Sequence, residues 1–472
     1  MSAWKFISTL SGEQLLFSFM NRLAYLLRAV TPSLLVILIP LAMDAGMTTR
    51  IFAIPKLTLM HVIVGVGLLA WLADSTVTPT LPRRVGIIVS AWLAWLVLTT
   101  VFAQSPARSW FGSYDWQLGL LTQFGLMGVA WLMFISIRDV RAARTVQWSL
   151  ILGSIPVLLY GAMQFFQLDP FKWQDCFTGR VFSTLGNQNY FGGYLAIVML
   201  LTLSAWLDSK KIPARLGLSL LLAAQAWGLW VTSCRSAAVA VAVTAPLLIL
   251  WRWRFNLRQA RILLLGIVIA SVIGTFVATA QGEKIVESLA RWGDEVRPLA
   301  WASAAGAVAA RPWIGWGLSS FDLAILDHAT PSFIARMNES VACRGAVIDR
   351  AHSLWWELLV EVGAVGFVLW LLMMAMCVDA MLRAAADDVE NRNLIFAGVS
   401  ALLSYGIHQL FNPADLGSLI IFGCVLGWAL ALSLRRGGKP NHHAPYITQA
   451  FLIVAAFGAG YGLWSWMGTL RK

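Results

Sequence analysis

Stretches of about twenty apolar residues recur along this chain, and nothing else in it restricts the fold as much. They fall at about 29–47, 57–75, 86–103, 118–136, 148–166, 187–207, 216–232, 236–251, 262–280, 352–381, 394–411, 416–434 and 447–466. At 1.5 Å per residue, about twenty helical residues cross the ~30 Å hydrocarbon layer of a bilayer. Backbone N–H and C=O groups in lipid find partners only within the protein, so the spanning segments are helices. The sequence therefore predicts an all-α, polytopic transmembrane bundle of about 12–13 spans. The pair flanking Arg235 reads either as two spans or as one re-entrant hairpin. Composition agrees: 12% of residues are charged, against roughly 25% in a soluble domain. Twenty-four tryptophans suit interfacial aromatic belts.

Alternation through these runs sorts the loops onto two sides. One set (1–28, 76–85, 137–147, 208–215, 252–261, 382–393 and 435–446) holds twenty of the 35 Lys and Arg residues. The positive-inside rule makes that set cytoplasmic. The net charge of +12 is thereby explained as loop cations, and no nucleic-acid partner is called for. No Lys or Arg falls within the runs. Residues 1–28 lack the basic start, short apolar core and cleavage site of a signal peptide, and read as an amphipathic segment on the cytoplasmic face. The expected divisions are then 29–166, N-terminal spans; 167–280, spans and loops with two arginine motifs; 281–351, one long outward loop between the ninth and tenth spans; 352–434, C-terminal spans; and 435–472, a basic loop and final span.

The polar chemistry gathers on the outward side, where no nucleotide is available. In "DRAHSLWWELLVEVGAVG", Asp349 is placed to cap the helix that His352 begins, and Glu357 and Glu361 share one face of it. Carboxylates inside a span face a bundle interior or watered cavity, and here they brace such a space or hold helices together. An imidazole with its ordinary pKa near ~6.5 suits proton transfer, which makes His352 a candidate base. Arg235 in "VTSCRSAAVAV" has no acidic neighbour, and Arg180 precedes the Gly186-Asn187-Gln188-Asn189 turn. Guanidinium groups bind phosphate bidentately, and a helix start capped by Asn187 or Asn189 offers free N–H groups to anions. For Arg235 the alternative is snorkelling to the interface, and for the asparagines it is capping alone. Arg297, Arg311 and Arg350 are further anion candidates; His408 and Asp415, in "HQLFNPADLGS" with Asn412, are expected to support the site from behind.

There is no phosphate-binding Gly-rich loop, no zinc-type His or Cys spacing and no Asp-x-Asp pair, so neither cofactor nor metal is expected. A Cys176–Cys343 bridge is one reading of two outward cysteines, free thiols the other.

In order, "GRVFSTLGNQNYFGGYLA", "TSCRSAAVA", "RPWIGWGLSSF" and "DRAHSLWWELLVEVGAVG" resemble the O-antigen ligase and O-antigen polymerase superfamily of membrane glycosyltransferases, over about residues 175–430. The resemblance implies a GT-C-like fold and an undecaprenyl-pyrophosphate-linked glycan as donor, used without nucleotide or metal outside the inner membrane. By motif it assigns the catalytic arginines to Arg180 and Arg235 and the catalytic histidine to His352. Ser353 stands where Asn is usual, Gln188 where Pro is usual, and Cys234-Arg235-Ser236 replaces Ser-Arg-Gly, so an amide at 353 is not carried over.

The expected activity is transfer of a lipid-linked glycan to an acceptor hydroxyl on the periplasmic side of the bacterial inner membrane, with inversion. Lipid A–core is the favoured acceptor; a second glycan chain (polymerase) or a protein hydroxyl are alternatives. A lipid-linked sugar flippase is the rival class. Inverted repeats and a broken helix would favour it, and neither is visible in the sequence.

Overall fold

The computed structural model describes residues 12–44, 51–73, 81–171, 173, 181–266, 269, 296–344, 349–434 and 444–470. Among them no strand occurs. The helices are α1 (Gly12–Leu41), α2 (Ala53–Ala73), α3 (Arg83–Val101), α4 (Pro106–Phe111), α5 (Leu120–Ser136), α6 (Val140–Phe165), α7 (Gln188–Asp208), α8 (Ile212–Val231), α9 (Arg235–Arg254), α10 (Val296–Ala310), α11 (Phe321–Leu326), α12 (Pro331–Arg344), α13 (Leu354–Asp387), α14 (Arg392–Gln409), α15 (Leu416–Ser433) and α16 (Ala444–Leu470). Ten of the described helices are long and apolar enough to cross a membrane, and the apolar α5 is slightly shorter. The polytopic helical bundle is thus as expected. The run at 262–280 lies mostly outside the described residues. The two runs flanking Arg235 are separate helices, α8 and α9, each packed along α7.

The helix ends pair as the alternation requires. Glu357 and Asp379 lie toward opposite ends of α13. Around Asp379 gathers Arg261 at 2.7 Å, and Asp208 takes Arg252 at 2.5 Å. Around the other end Glu357 takes Arg350, and Arg108 meets Asp322 at 2.6 Å. Each of these pairs joins groups that the loop alternation puts on the same side.

Two expectations about cations are corrected. Helix α1 runs unbroken through residue 28, so Arg28 lies inside a span. It is only 2% exposed, and its Nη2 donates to the Ile135 carbonyl at 2.9 Å. Lys56 lies in the first turn of α2, and its Nζ donates to the carbonyls of Ala42 and Thr184 at 2.5 and 2.9 Å. In both cases a long stem carries the charge to carbonyls that a helix end leaves unpaired.

The third correction matters most. The apolar run at 352–381 reads as one helix, yet α13 breaks at Gly363, where φ is +67° and ψ 179°. That conformation belongs essentially to glycine. A break frees backbone groups that lipid cannot satisfy, and the loop after α10 takes them. Trp316 and Gly317 donate N–H to the carbonyls of Val360 and Glu361 at 2.9 Å each, and Ala364 donates to Pro312 at 2.8 Å. From α3, Trp95 Nε1 donates to the Val362 carbonyl at 2.9 Å. The loop comes so close that a Cβ on Gly363 would sit 2.4 Å from the Trp313 carbonyl oxygen.

Gly363→Ala is therefore expected to cost about 1–3 kcal/mol in backbone strain alone, with the steric conflict added. Thermal unfolding of the purified protein would show it as a lowered Tm; an unchanged Tm would mean that the break is not held by this loop.

Candidate functional site

The first polar centre begins at the start of α7. Gly186 turns the chain at φ +83°, and the Asn187 side chain caps the helix by accepting from the Asn189 N–H at 2.8 Å. A turn later come Gly192 and Gly193, where the helix has no side chain. A Cβ on Gly192 would lie 2.8 Å from Cys234 Cβ, and one on Gly193 would lie 2.7 Å from His408 Nε2. The two glycines thus let α7 close on the start of α9 and on the end of α14.

His408 is fully buried there. Its Nδ1 meets Ser236 Oγ at 3.0 Å, while Asn412 Nδ2 donates to that same oxygen at 2.7 Å and to the His408 carbonyl at 2.9 Å. With Oγ accepting from Asn412, its own hydrogen is left for Nδ1, so Nε2 carries the imidazole proton. Arg297, half-buried on α10, lies within electrostatic reach of the ring.

His352 joins this centre through its backbone. On one side Trp301 Nε1 donates to the Ala351 carbonyl at 2.8 Å; on the other the Leu354 N–H donates to the Asn412 carbonyl at 2.9 Å. Between these two clamps His352 is held at φ +51°, a left-handed conformation uncommon for a residue with a side chain. Such strain persists where its surroundings over-determine it, and it concentrates at functional sites. Arg235 is the first residue of α9, next to Ser236, and its side chain is exposed.

A second polar group sits beside it. Arg350, 8% exposed, donates from Nε and Nη2 to both Glu357 oxygens, and from Nη2 to the Ala414 carbonyl at 3.2 Å. Its guanidinium lies 4.8 Å from the Trp116 ring centroid. Burial opposes the charge, but the Glu357 carboxylate prevails and raises the Arg350 pKa. Arg350 is thus corrected as an anion candidate, because its charge-bearing fork is already taken by a carboxylate. Asp349 is corrected as well. It accepts from Trp116 Nε1 at 2.6 Å, while Ser353 occupies the cap position of α13. Asp415 caps α15 by accepting from the Ser418 N–H at 2.9 Å. Burial pushes its carboxyl above the usual range, although those Ser418 bonds pull the other way.

Beneath this group opens a cavity of about 1270 Å³ among α5, α9, α13, α14 and α15. Glu357 and Glu361 line its polar end together; Leu371, Met374 and Val378 line it farther along α13.

The structure accordingly gathers Asn187, Asn189, Arg235, Arg297, His352 and His408 around one helix junction, with Asp349, Arg350, Glu357, Glu361 and Asp415 close by. Arg311 stands apart: its guanidinium stacks 4.4 Å from the Trp316 ring, beside the loop that repairs α13. Arg180 lies outside the described residues, as does Cys176 of the expected bridge. Sequence reasoning missed Ser236 and Trp116. Ser236 had a signal in its position beside Arg235; Trp116 had none, because its partners lie more than two hundred residues away.

Residues 218–371, about a third of the chain, match the family model described as O-antigen ligase. The matched segment contains Arg235, Arg297, His352 and the Gly363 break, and it bears out the resemblance to the O-antigen ligase and polymerase superfamily of membrane glycosyltransferases. No curated protein matches the chain.

Removing one partner of a buried ion pair strands the other charge, which typically costs about 3–5 kcal/mol. Arg350→Met and Glu357→Leu should each lower the unfolding midpoint sharply, and the double substitution should recover most of the loss. Additive losses in this cycle would show that the two groups do not act as a pair.

Proposed function

We propose that this protein transfers glycan from an undecaprenyl-pyrophosphate-linked donor to an acceptor hydroxyl, at the periplasmic face of the bacterial inner membrane. The observation that carries the reading is the convergence of the 187–193, 234–236, 297–301, 351–354 and 408–412 stretches on one helix junction, with His352 held in a strained backbone conformation at its centre. The O-antigen ligase match supports it independently.

In this mechanism Arg235, exposed at the start of α9, receives the diphosphate as it arrives at the membrane surface, and Arg297 adds to the positive field; the motif resemblance assigns Arg180 the same role. The negative charge that develops on the leaving diphosphate is met by these fixed cations. His352 accepts the proton of the attacking hydroxyl. Attack opposite the leaving group inverts the anomeric carbon. His408, buried and bonded on Nδ1, is a positioning residue: it fixes Ser236 and Asn412, and through the Asn412 carbonyl the segment that bears His352. Lipid A–core is the leading acceptor, with a second glycan chain or a protein hydroxyl as the alternatives.

The broken helix at Gly363 favours a second reading, a lipid-linked sugar flippase, since transporters use such breaks at their binding sites. Here the freed backbone groups are bonded by a loop of the chain itself, which leaves them unavailable to a passing substrate.

Purified protein given a synthetic undecaprenyl-diphosphate glycan and acceptor should form product without ATP. His352→Ala should lower kcat by about 10²–10⁴-fold, the usual contribution of a general base, with little change in donor KM; Arg235→Ala should weaken donor use as well. Wild-type rates in both variants would refute the site, and movement of donor across vesicles without a new glycosidic bond would favour the flippase.

A further inference from the structure

The large cavity has a polar end that does not suit a phosphate. Among its described lining residues are five carboxylates, Asp115, Asp322, Asp349, Glu357 and Glu361, against two guanidinium groups. Both of those are engaged, Arg108 with Asp322 and Arg350 with Glu357. Among the described lining residues no guanidinium is left to receive a dianionic diphosphate.

The same wall is rich in indole rings. Trp116, Trp301 and Trp356 line the cavity with Glu361. Aromatic faces carry negative potential and attract the weakly positive C–H faces of a sugar ring, while carboxyl groups form hydrogen bonds with its hydroxyls. Indoles and carboxylates on one wall therefore suit a saccharide. Glu361 is held through its backbone: the Gly317 N–H donates to its carbonyl at 2.9 Å, and Arg108 Nε holds the Ser319 carbonyl of the same loop at 2.7 Å. Below it the lining turns apolar. Beyond the break, Trp370 to Val378 line it over about 12 Å of α13, room for an alkyl chain.

Resting on the transfer reading above, we infer that this cavity is a saccharide subsite for an amphiphile, with Glu361 hydrogen-bonded to the sugar hydroxyls and the indole wall stacking on the ring. It holds the sugar portion of the acceptor, apart from the diphosphate at Arg235.

The test uses full-length protein in nanodiscs of zwitterionic lipid, purified without glycoside detergent, and an octyl glucoside carrying a diazirine in its alkyl chain, below its micellising concentration. Photolabelling should fall on the 371–378 stretch of α13, and octyl glucoside should compete while octyl phosphate does not. Glu361→Gln should reduce labelling about ten-fold or more, as should Trp356→Ala. Trp253→Ala, on the exposed far end of α9, should label as wild type and confirm that folding is intact. Equal competition by octyl phosphate, or undiminished labelling of Glu361→Gln, would overturn the inference. If labelling behaves as expected and no transfer is found, the subsite stands and the transfer reading falls. If transfer is found and labelling ignores Glu361, the reverse holds.

Discussion

A backbone group buried in lipid has to find its partner within the protein, and the architecture around the site depends on how this is met at Gly363. The break in α13 exposes the carbonyls of Val360, Glu361 and Val362, and three donors from two other segments take them. Those bonds do more than repair a helix. They fix the loop that follows α10 against the membrane span, and α10 supplies Trp301 and Arg297 to the site. A helix that ran straight through residue 363 would give that loop no place to dock. The long segment between the ninth and tenth expected spans would then lose its registration with His352.

Electrostatics divides this end of the bundle into two regions of opposite character. Exposed Arg235 and half-buried Arg297 lie on the α9 and α10 side. On the α13 side Arg108 and Arg350 are each matched by a carboxylate, and further carboxyl groups face a cavity. A transferase that handles a diphosphate and a sugar alcohol needs this kind of separation, because a surplus of cations near the acceptor would attract the wrong end of the donor. Arg350 shows how the division is built. Its pairing with Glu357 and its position over Trp116 turn an apparent anion site into a structural strut.

Much of the fold is legible in the sequence because lipid imposes a simple rule on length and polarity. The spans and the grouping of Arg235, His352 and His408 at one end of the bundle follow from it. Other features depend on contacts that no local pattern encodes. The hydropathy of 352–381 continues smoothly through Gly363, so the break is invisible without the loop that bonds it. Arg28 and Lys56 looked like loop cations, yet their stems carry charge to carbonyls on neighbouring helices. Asp349 has the local pattern of a cap, but the Trp116 indole, distant in sequence, claims it. His408 looked like a secondary group at a turn; its bond to Ser236 spans 172 residues and makes it the hub of the junction.

The most direct test of the central claim, that the outward junction receives the donor's diphosphate, is an experimental structure with a non-hydrolysable undecaprenyl-diphosphate sugar bound. The account predicts phosphate density beside the Arg235 guanidinium, with the His352 imidazole facing the anomeric carbon. Phosphate density against Glu361 within the large cavity, or at the opposite end near Arg252 and Asp208, would contradict it.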